Sequence, residues 1–155
     1  SMVLSPNSDI VVCGSQDNTI HFWRRSTEQD SMMSGYPLKP SALSFDETGC
    51  YLATGGSEEV TVWSFKGDGP EGTSPLSLKL HTKPVTTLAF ANRGMNLASG
   101  SRDGTVVLWD LKSENEESGL SETSVNDSVS KLYWRPDDKA LAGLDRQGGV
   151  TVWRI

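Results

Sequence analysis

Apolar and polar positions alternate with a period of two along most of the chain, and short polar clusters rich in Gly, Asn and Asp interrupt the alternation. This is the pattern of half-buried strands joined by tight turns. The clearest instance is LASGSRDGTVVLWD, from Leu97 to Asp110, where an apolar half-strand passes through GSRDG into a second alternating run. Three other stretches share the design: VVCGSQDNTIHFW at 11–23, LATGGSEEVTVW at 52–63 and LAGLDRQGGVTVW at 141–153. Their closing residues Trp23, Trp63, Trp109 and Trp153 step by 40, 46 and 44 residues, so the chain is an internal repeat of hairpins. A further strand is predicted before each hairpin, over 2–5, 41–45, 85–91 and 129–134, the first of them short. Outer strands are predicted over 32–38 and 76–80, and none follows Trp153.

In each closing strand one side-chain phase holds Ile20 and Phe22, Val60 and Val62, Val106 and Leu108, or Val150 and Val152, while the other phase ends in the tryptophan. Both phases are at least partly apolar, which predicts sheets covered on both faces by their neighbours. Such a unit cannot bury itself alone. The repeat length matches the roughly 40 to 45 residues of a four-stranded propeller blade.

With these hairpins in phase, nearly the whole chain resembles the WD-repeat β-propellers. Trp109-Asp110 matches the family dipeptide literally, whereas Trp23-Arg24, Trp63-Ser64 and Trp153-Arg154 depart from it. The resemblance implies an all-β fold of four blades over 2–155 that form an incomplete half ring. Ser1 before Met2 reads as the remnant of a cleaved tag. The family usually closes its ring by letting a strand from one terminus complete a blade begun at the other. The chain is therefore expected to be the C-terminal part of a longer propeller, whose absent blades precede Met2. On its own it is expected to pair with a second copy into an eight-blade ring, an assembly that charges at Ile20 and Val150 should weaken.

The resemblance also implies a structural hydrogen-bond relay of a His before the first strand, a Ser or Thr in the second, an Asp in the hairpin turn and the Trp. Blade three matches it with His81, Ser99, Asp103 and Trp109. Ser, His and Asp also make a nucleophilic triad, but these recur as a decaying repeat, which favours the structural reading. Blade one keeps Asp17 and Trp23 with Cys13 at the Ser position; blade two keeps Thr54 and Trp63 with Glu58 near the Asp position; blade four has Gly143 and Gln147 in place of Ser and Asp.

Composition narrows the function. No apolar run approaches the roughly 20 residues of a membrane span, and no leader pattern opens the sequence. Cys13 and Cys50, in different repeats, lack metal-ligand spacing and read as reduced thiols, and an intracellular, cytoplasmic location is expected. His21 has no second ligand at suitable spacing, and the glycines of the turns do not sit between a strand and a helix, so neither a metal nor a cofactor is expected. A net charge of −6 disfavours nucleic acid as partner.

The resemblance places the second-to-third-strand turns and the connections into first strands on one face, the top. Gln16, Arg102 and Arg146 occupy comparable turns there, and Lys39 and Lys83 precede first strands. These five are the candidate partner-binding residues. Asp68, Glu71, Glu114, Glu116 and Glu117 are expected in loops of the opposite face. The expected function is a non-catalytic scaffold for a protein or peptide, with an acidic or phosphorylated segment docking near Lys83, Arg102 and Arg146. Two alternatives stand beside it: a binder of anionic ligands through the same face, and the propeller part of a larger multidomain enzyme.

Overall fold

The computed structural model describes residues 1–112 and 119–155. Fifteen strands form four antiparallel sheets, each laid down in chain order. Blade one holds β1 (Met2–Leu4), β2 (Ile10–Gly14), β3 (Ile20–Arg24) and β4 (Gln29–Met33); blade two holds β5 (Ala42–Phe45), β6 (Tyr51–Gly55), β7 (Glu59–Ser64) and β8 (Leu76–Lys79). Blade three holds β9 (Val85–Phe90), β10 (Asn96–Ser101), β11 (Thr105–Asp110) and β12 (Gly119–Ser124). Blade four has three strands, β13 (Val129–Trp134), β14 (Ala140–Asp145) and β15 (Val150–Arg154). The ring is open. Among the described residues no helix is long and apolar enough to cross a membrane.

Inner strands β1, β5, β9 and β13 stack side by side, and three apolar clusters fill the gaps between blades. Each cluster has the same polarity. Ile20 and Phe22 of blade one pack with Leu52 and Trp63 of blade two; Val60 and Val62 pack with Leu97 and Trp109 of blade three; Val106 and Leu108 pack with Leu141 and Trp153 of blade four. The tryptophan phase of blades two, three and four thus faces the preceding blade, and the aliphatic phase of blades one, two and three faces the following one. Close approach depends on small residues at the ends of second strands. A Cβ on Gly100 would stand 2.5 Å from Val129 Cγ1, and one on Gly55 would stand 2.7 Å from Val85 Cγ1. These turn-proximal glycines admit the next blade's first strand.

Two faces remain uncovered. Blade one leaves Met2, Leu4, Trp23 and Met32 exposed, and blade four leaves Tyr133, Val150 and Val152 exposed. Ile20, expected on an open face, is instead sealed between blades one and two. Periodicity separates two phases of a strand, but only the stacking decides which phase meets a neighbour.

Strand β8 lies where an outer strand is expected, but the outer strands of blades one and three differ from expectation. The fourth strand of blade one runs over Gln29–Met33, earlier than 32–38, because the third-to-fourth turn is tight: Glu28 takes φ 55° and Asp9 accepts hydrogen bonds from Ser26 N and Oγ. Gly35, Pro37 and Pro40 then keep residues 34–41 out of the sheet. Strand β12 had no sequence signal, since Gly119–Ser124 is polar throughout apart from Leu120. The acidic stretch with Glu114, Glu116 and Glu117 lies outside the described residues.

Candidate functional site

The hairpin turns make the site. In blades one, three and four the turn needs a left-handed residue, supplied by Asn18 (φ 64°), Gly104 (φ 84°) and Gly148 (φ 88°). Asn and Gly are the residues that enter this region with least strain. Ahead of that residue Asp17 and Asp103 each accept the amide and hydroxyl of a threonine two residues on, Thr19 and Thr105. In blade four the same work falls to buried Asp145, which accepts the amides of Gln147 (2.9 Å) and Gly149 (2.7 Å). Gln147, at the family's Asp position, instead donates outward to Asp127 at 3.0 Å.

Blade three carries a continuous chain of hydrogen bonds. Trp109 Nε1 donates to Ser99 Oγ at 2.8 Å, Ser99 Oγ lies 2.7 Å from His81 Nε2, and His81 Nδ1 lies 2.7 Å from Thr105 Oγ1. Thr105 donates its proton to Asp103, so its oxygen must accept from His81 Nδ1, which leaves Nε2 to accept from Ser99. His81 is neutral in this arrangement. Burial pushes its pKa below the ordinary value, with the charges of Asp103 and Glu122 opposing only in part. For Asp103 burial works against ionisation, but the donors of Thr105 and Thr82 outweigh it and hold the carboxyl well below its usual range. Asp103 thus reaches His81 through Thr105, a link legible in the recurring Asp-x-Thr of blades one and three. Ser99 is completely buried, with 0% of its surface exposed. No substrate can reach it.

Blade two substitutes a different hub. Tyr36 Oη, buried enough to raise its pKa, accepts Trp63 Nε1 at 2.7 Å and the Thr54 hydroxyl at 3.3 Å, and Thr54 in turn lies 2.6 Å from Thr61. Sequence reading missed Tyr36 because the family pattern places a histidine there. In blade four the Trp153 indole lies over Gly143, where a Cβ would approach to 2.7 Å, so no serine fits beneath it. In blade one Cys13 pairs in register with His21, whose ring stacks on Trp23.

Backbone bonds tie the top-face turns to the connections beside them. Arg102 N donates to Pro84 O at 3.0 Å, Ser101 Oγ to Lys83 O at 2.8 Å, and Arg146 N to Ser128 O at 3.0 Å. Lys83 and Arg102 are thereby neighbours. Lys39 is half-buried, with its carbonyl against Gly56, and Gln16 is exposed in the blade-one turn. Lys39, Lys83, Arg102 and Arg146 form no ion pair among the described residues. The rim alternates in sign, because Asp17, Glu58, Glu59, Asp103 and Asp127 share these turns and connections. On the other side of the blades Glu71 is held by Gln29 Nε2 and Ser31 Oγ of β4, and Asp68 is exposed. Among the described residues no cluster of His, Cys, Asp and Glu is arranged to hold a metal.

Comparison with known proteins matches a family model described as "WD domain, G-beta repeat" over residues 1–24 and 72–110. The chain is 28% identical to the target of rapamycin complex subunit wat1 of Schizosaccharomyces pombe, across 96% of this chain and 46% of that protein. It is 33% identical to the protein transport protein SEC13 homolog A of Arabidopsis thaliana, across 66% of this chain and 36% of that one. Among solved structures, that of U3-55K superposes with a TM-score of 0.82 at 21% identity, over 99% of this chain and 48% of the other. The chain spans less than half the length of each of these proteins.

Proposed function

Because the chain belongs to the WD-repeat β-propeller family, we propose that it is a non-catalytic scaffold that binds a protein or peptide on its top face. The observation that carries this reading is the burial of Ser99: the Ser99, His81 and Asp103 set is spent on holding a blade together. What the fold leaves outside is a rim of turns pinned by backbone hydrogen bonds, so a partner meets groups already ordered and the association loses little conformational entropy on this side. Two relatives are named as subunits, the target of rapamycin complex subunit wat1 and a chromatin assembly factor 1 subunit homolog of Oryza sativa. That supports a protein partner here.

The test is crosslinking of the purified chain to partners captured from cells, with the contacts mapped by mass spectrometry. Contacts at Lys83, Arg102 and Arg146 that disappear in the R102E/R146E variant are expected. A partner retained by that variant, or mapped to the side of Asp68 and Glu71, overturns the assignment. An assay with inorganic phosphate and phosphopeptides separates recognition of a bare anion from recognition of a peptide.

The two uncovered faces favour a second element of the reading. One is a tryptophan-phase face and the other an aliphatic-phase face, the two halves of every interface inside the chain. The Trp23 face of one copy therefore suits the Val150 and Val152 face of another, and two copies meeting twice in this way close an eight-blade ring.

A further inference from the structure

Blade two differs from blade three in leaving an open cavity beside its relay. Its hairpin is a residue shorter, with ten residues from Thr54 to Trp63 against eleven from Ser99 to Trp109. The connection into its first strand, residues 34–41, is longer than its counterpart at 80–84 and stiffened by Pro37 and Pro40. A receding turn and a connection that stands off leave a hollow of about 280 Å³ walled by Tyr36, Pro37, Leu38, Trp63 and Pro75. It runs on into a shallower depression that shares Pro37 and Leu38 and adds Glu58 and Pro84.

We propose that this groove receives one bulky apolar side chain of an extended peptide that carries Lys or Arg beside it. The inference rests on the scaffold reading and names the partner's chemistry. The hollow itself, at about 280 Å³, has room for one bulky side chain, and the adjoining depression takes its neighbour along the peptide. Chemistry argues for a mainly apolar guest: Trp63 Nε1, Thr54 and Thr61 are bonded within the wall, and Pro37, Leu38, Pro75 and the rings of Tyr36 and Trp63 present mostly carbon to the hollow. Leu38, with 49% of its surface exposed at the mouth, loses water when the guest enters. Charge argues for a basic neighbour. Glu59 is engaged by Ser77 and by Lys79 at 3.7 Å, whereas Glu58 at the rim is exposed and has no ion-pair partner among the described residues. Lys39 and Lys83 are nearby in sequence but line neither depression.

The experiment is fluorescence polarisation with a panel of labelled hexapeptides in which an anchor (Leu, Met, Phe, Ala or Glu) and its neighbour (Arg, Gly or Glu) are varied independently. An apolar anchor beside Arg is expected to bind most tightly. Leu38→Asp should weaken it by about tenfold or more, the effect of a central anchor contact. Glu58→Arg should reverse the neighbour preference from Arg to Glu. Both positions are exposed, and unchanged melting curves establish that the variants fold. Equal affinities across the anchors, or binding indifferent to both substitutions, overturn the inference. Preference for acidic peptides that depends on Arg102 and Arg146 overturns it and leaves the scaffold reading standing. Absence of binding throughout the panel overturns it, and with no crosslinked partner in cells it removes the scaffold reading as well.

Discussion

Blades three and four carry the same hairpin in different surroundings. Val106 and Leu108 in blade three are 2% and 8% exposed, while Val150 and Val152, at the equivalent places in blade four, are 67% and 63% exposed. The strands themselves are alike in composition and pairing. What differs is the neighbour: blade four packs on the first pair, and among the described residues nothing covers the second. Burial in this fold is a property of the stack more than of the strand. The polar interiors differ as well, with a Ser99 and His81 relay in blade three and the Trp153 indole against Gly143 in blade four.

The largest expected effect comes from placing one substitution in both settings. Val106→Asp buries an unpaired carboxylate between two blades and should cost more than about 3 kcal/mol, enough to unfold the chain in a urea titration. Val150→Asp should leave the urea midpoint of the separated chain within about 0.5 kcal/mol of wild type, as for other exposed sites. Similar losses at the two sites would erase the distinction between the blades.

Next come the relays. Ser99→Ala leaves Trp109 Nε1 and His81 Nε2 buried without a partner and should cost about 1 to 3 kcal/mol by chemical denaturation. The reverse change, Gly143→Ser, should also destabilise, by about 1 to 3 kcal/mol, because its Cβ collides with the Trp153 ring. A stabilising Gly143→Ser would mean that blade four can host the relay after all.

A smaller contrast separates the turns. Asp103→Ala removes the acceptor of Thr82 and Thr105 and should cost about 1 kcal/mol, a figure lowered because the carboxylate is partly exposed. Gln147→Ala, which loses one exposed hydrogen bond to Asp127, should stay within about 0.5 kcal/mol of wild type. Equal denaturation midpoints for the two would count against the blade-three relay.

Acid gives the gentlest test. His81 is neutral when folded and its pKa lies below the unfolded value of about 6.5, so the unfolded chain binds the extra proton first. Stability is full above that value and falls as the pH drops from about 6.5 towards the folded pKa. Replacing His81 by Gln should flatten this part of the stability profile. Asp103, held low when folded, contributes a separate loss that sets in only below the usual carboxylate pKa of about 3.9.

The hairpins were legible because four tryptophans and their alternating strands keep one phase across the chain. The outer strand β8 was legible too, whereas β4 and β12 were not, since they hold few apolar residues and sit at sheet edges where the period is weak. Within the relays, the residues of blade three follow the family pattern, and Thr105 is visible in the repeated Asp-x-Thr. Tyr36 and Asp145 escaped notice because each takes over a role from a neighbouring position, and only the folded backbone shows the exchange. Either phase of β3 is apolar, so periodicity alone does not tell the face of Ile20 from that of Trp23, and the exposed one is that of Trp23.

The central claim is that the two uncovered blade faces are complementary and meet. Size-exclusion chromatography with light scattering, at micromolar concentration, tests it directly. The account predicts twice the 16.8 kDa chain mass for the wild type and a single chain mass for Trp23→Glu and Val152→Glu, each still folded by circular dichroism. A well-folded wild-type monomer, with both faces open to water, would contradict it.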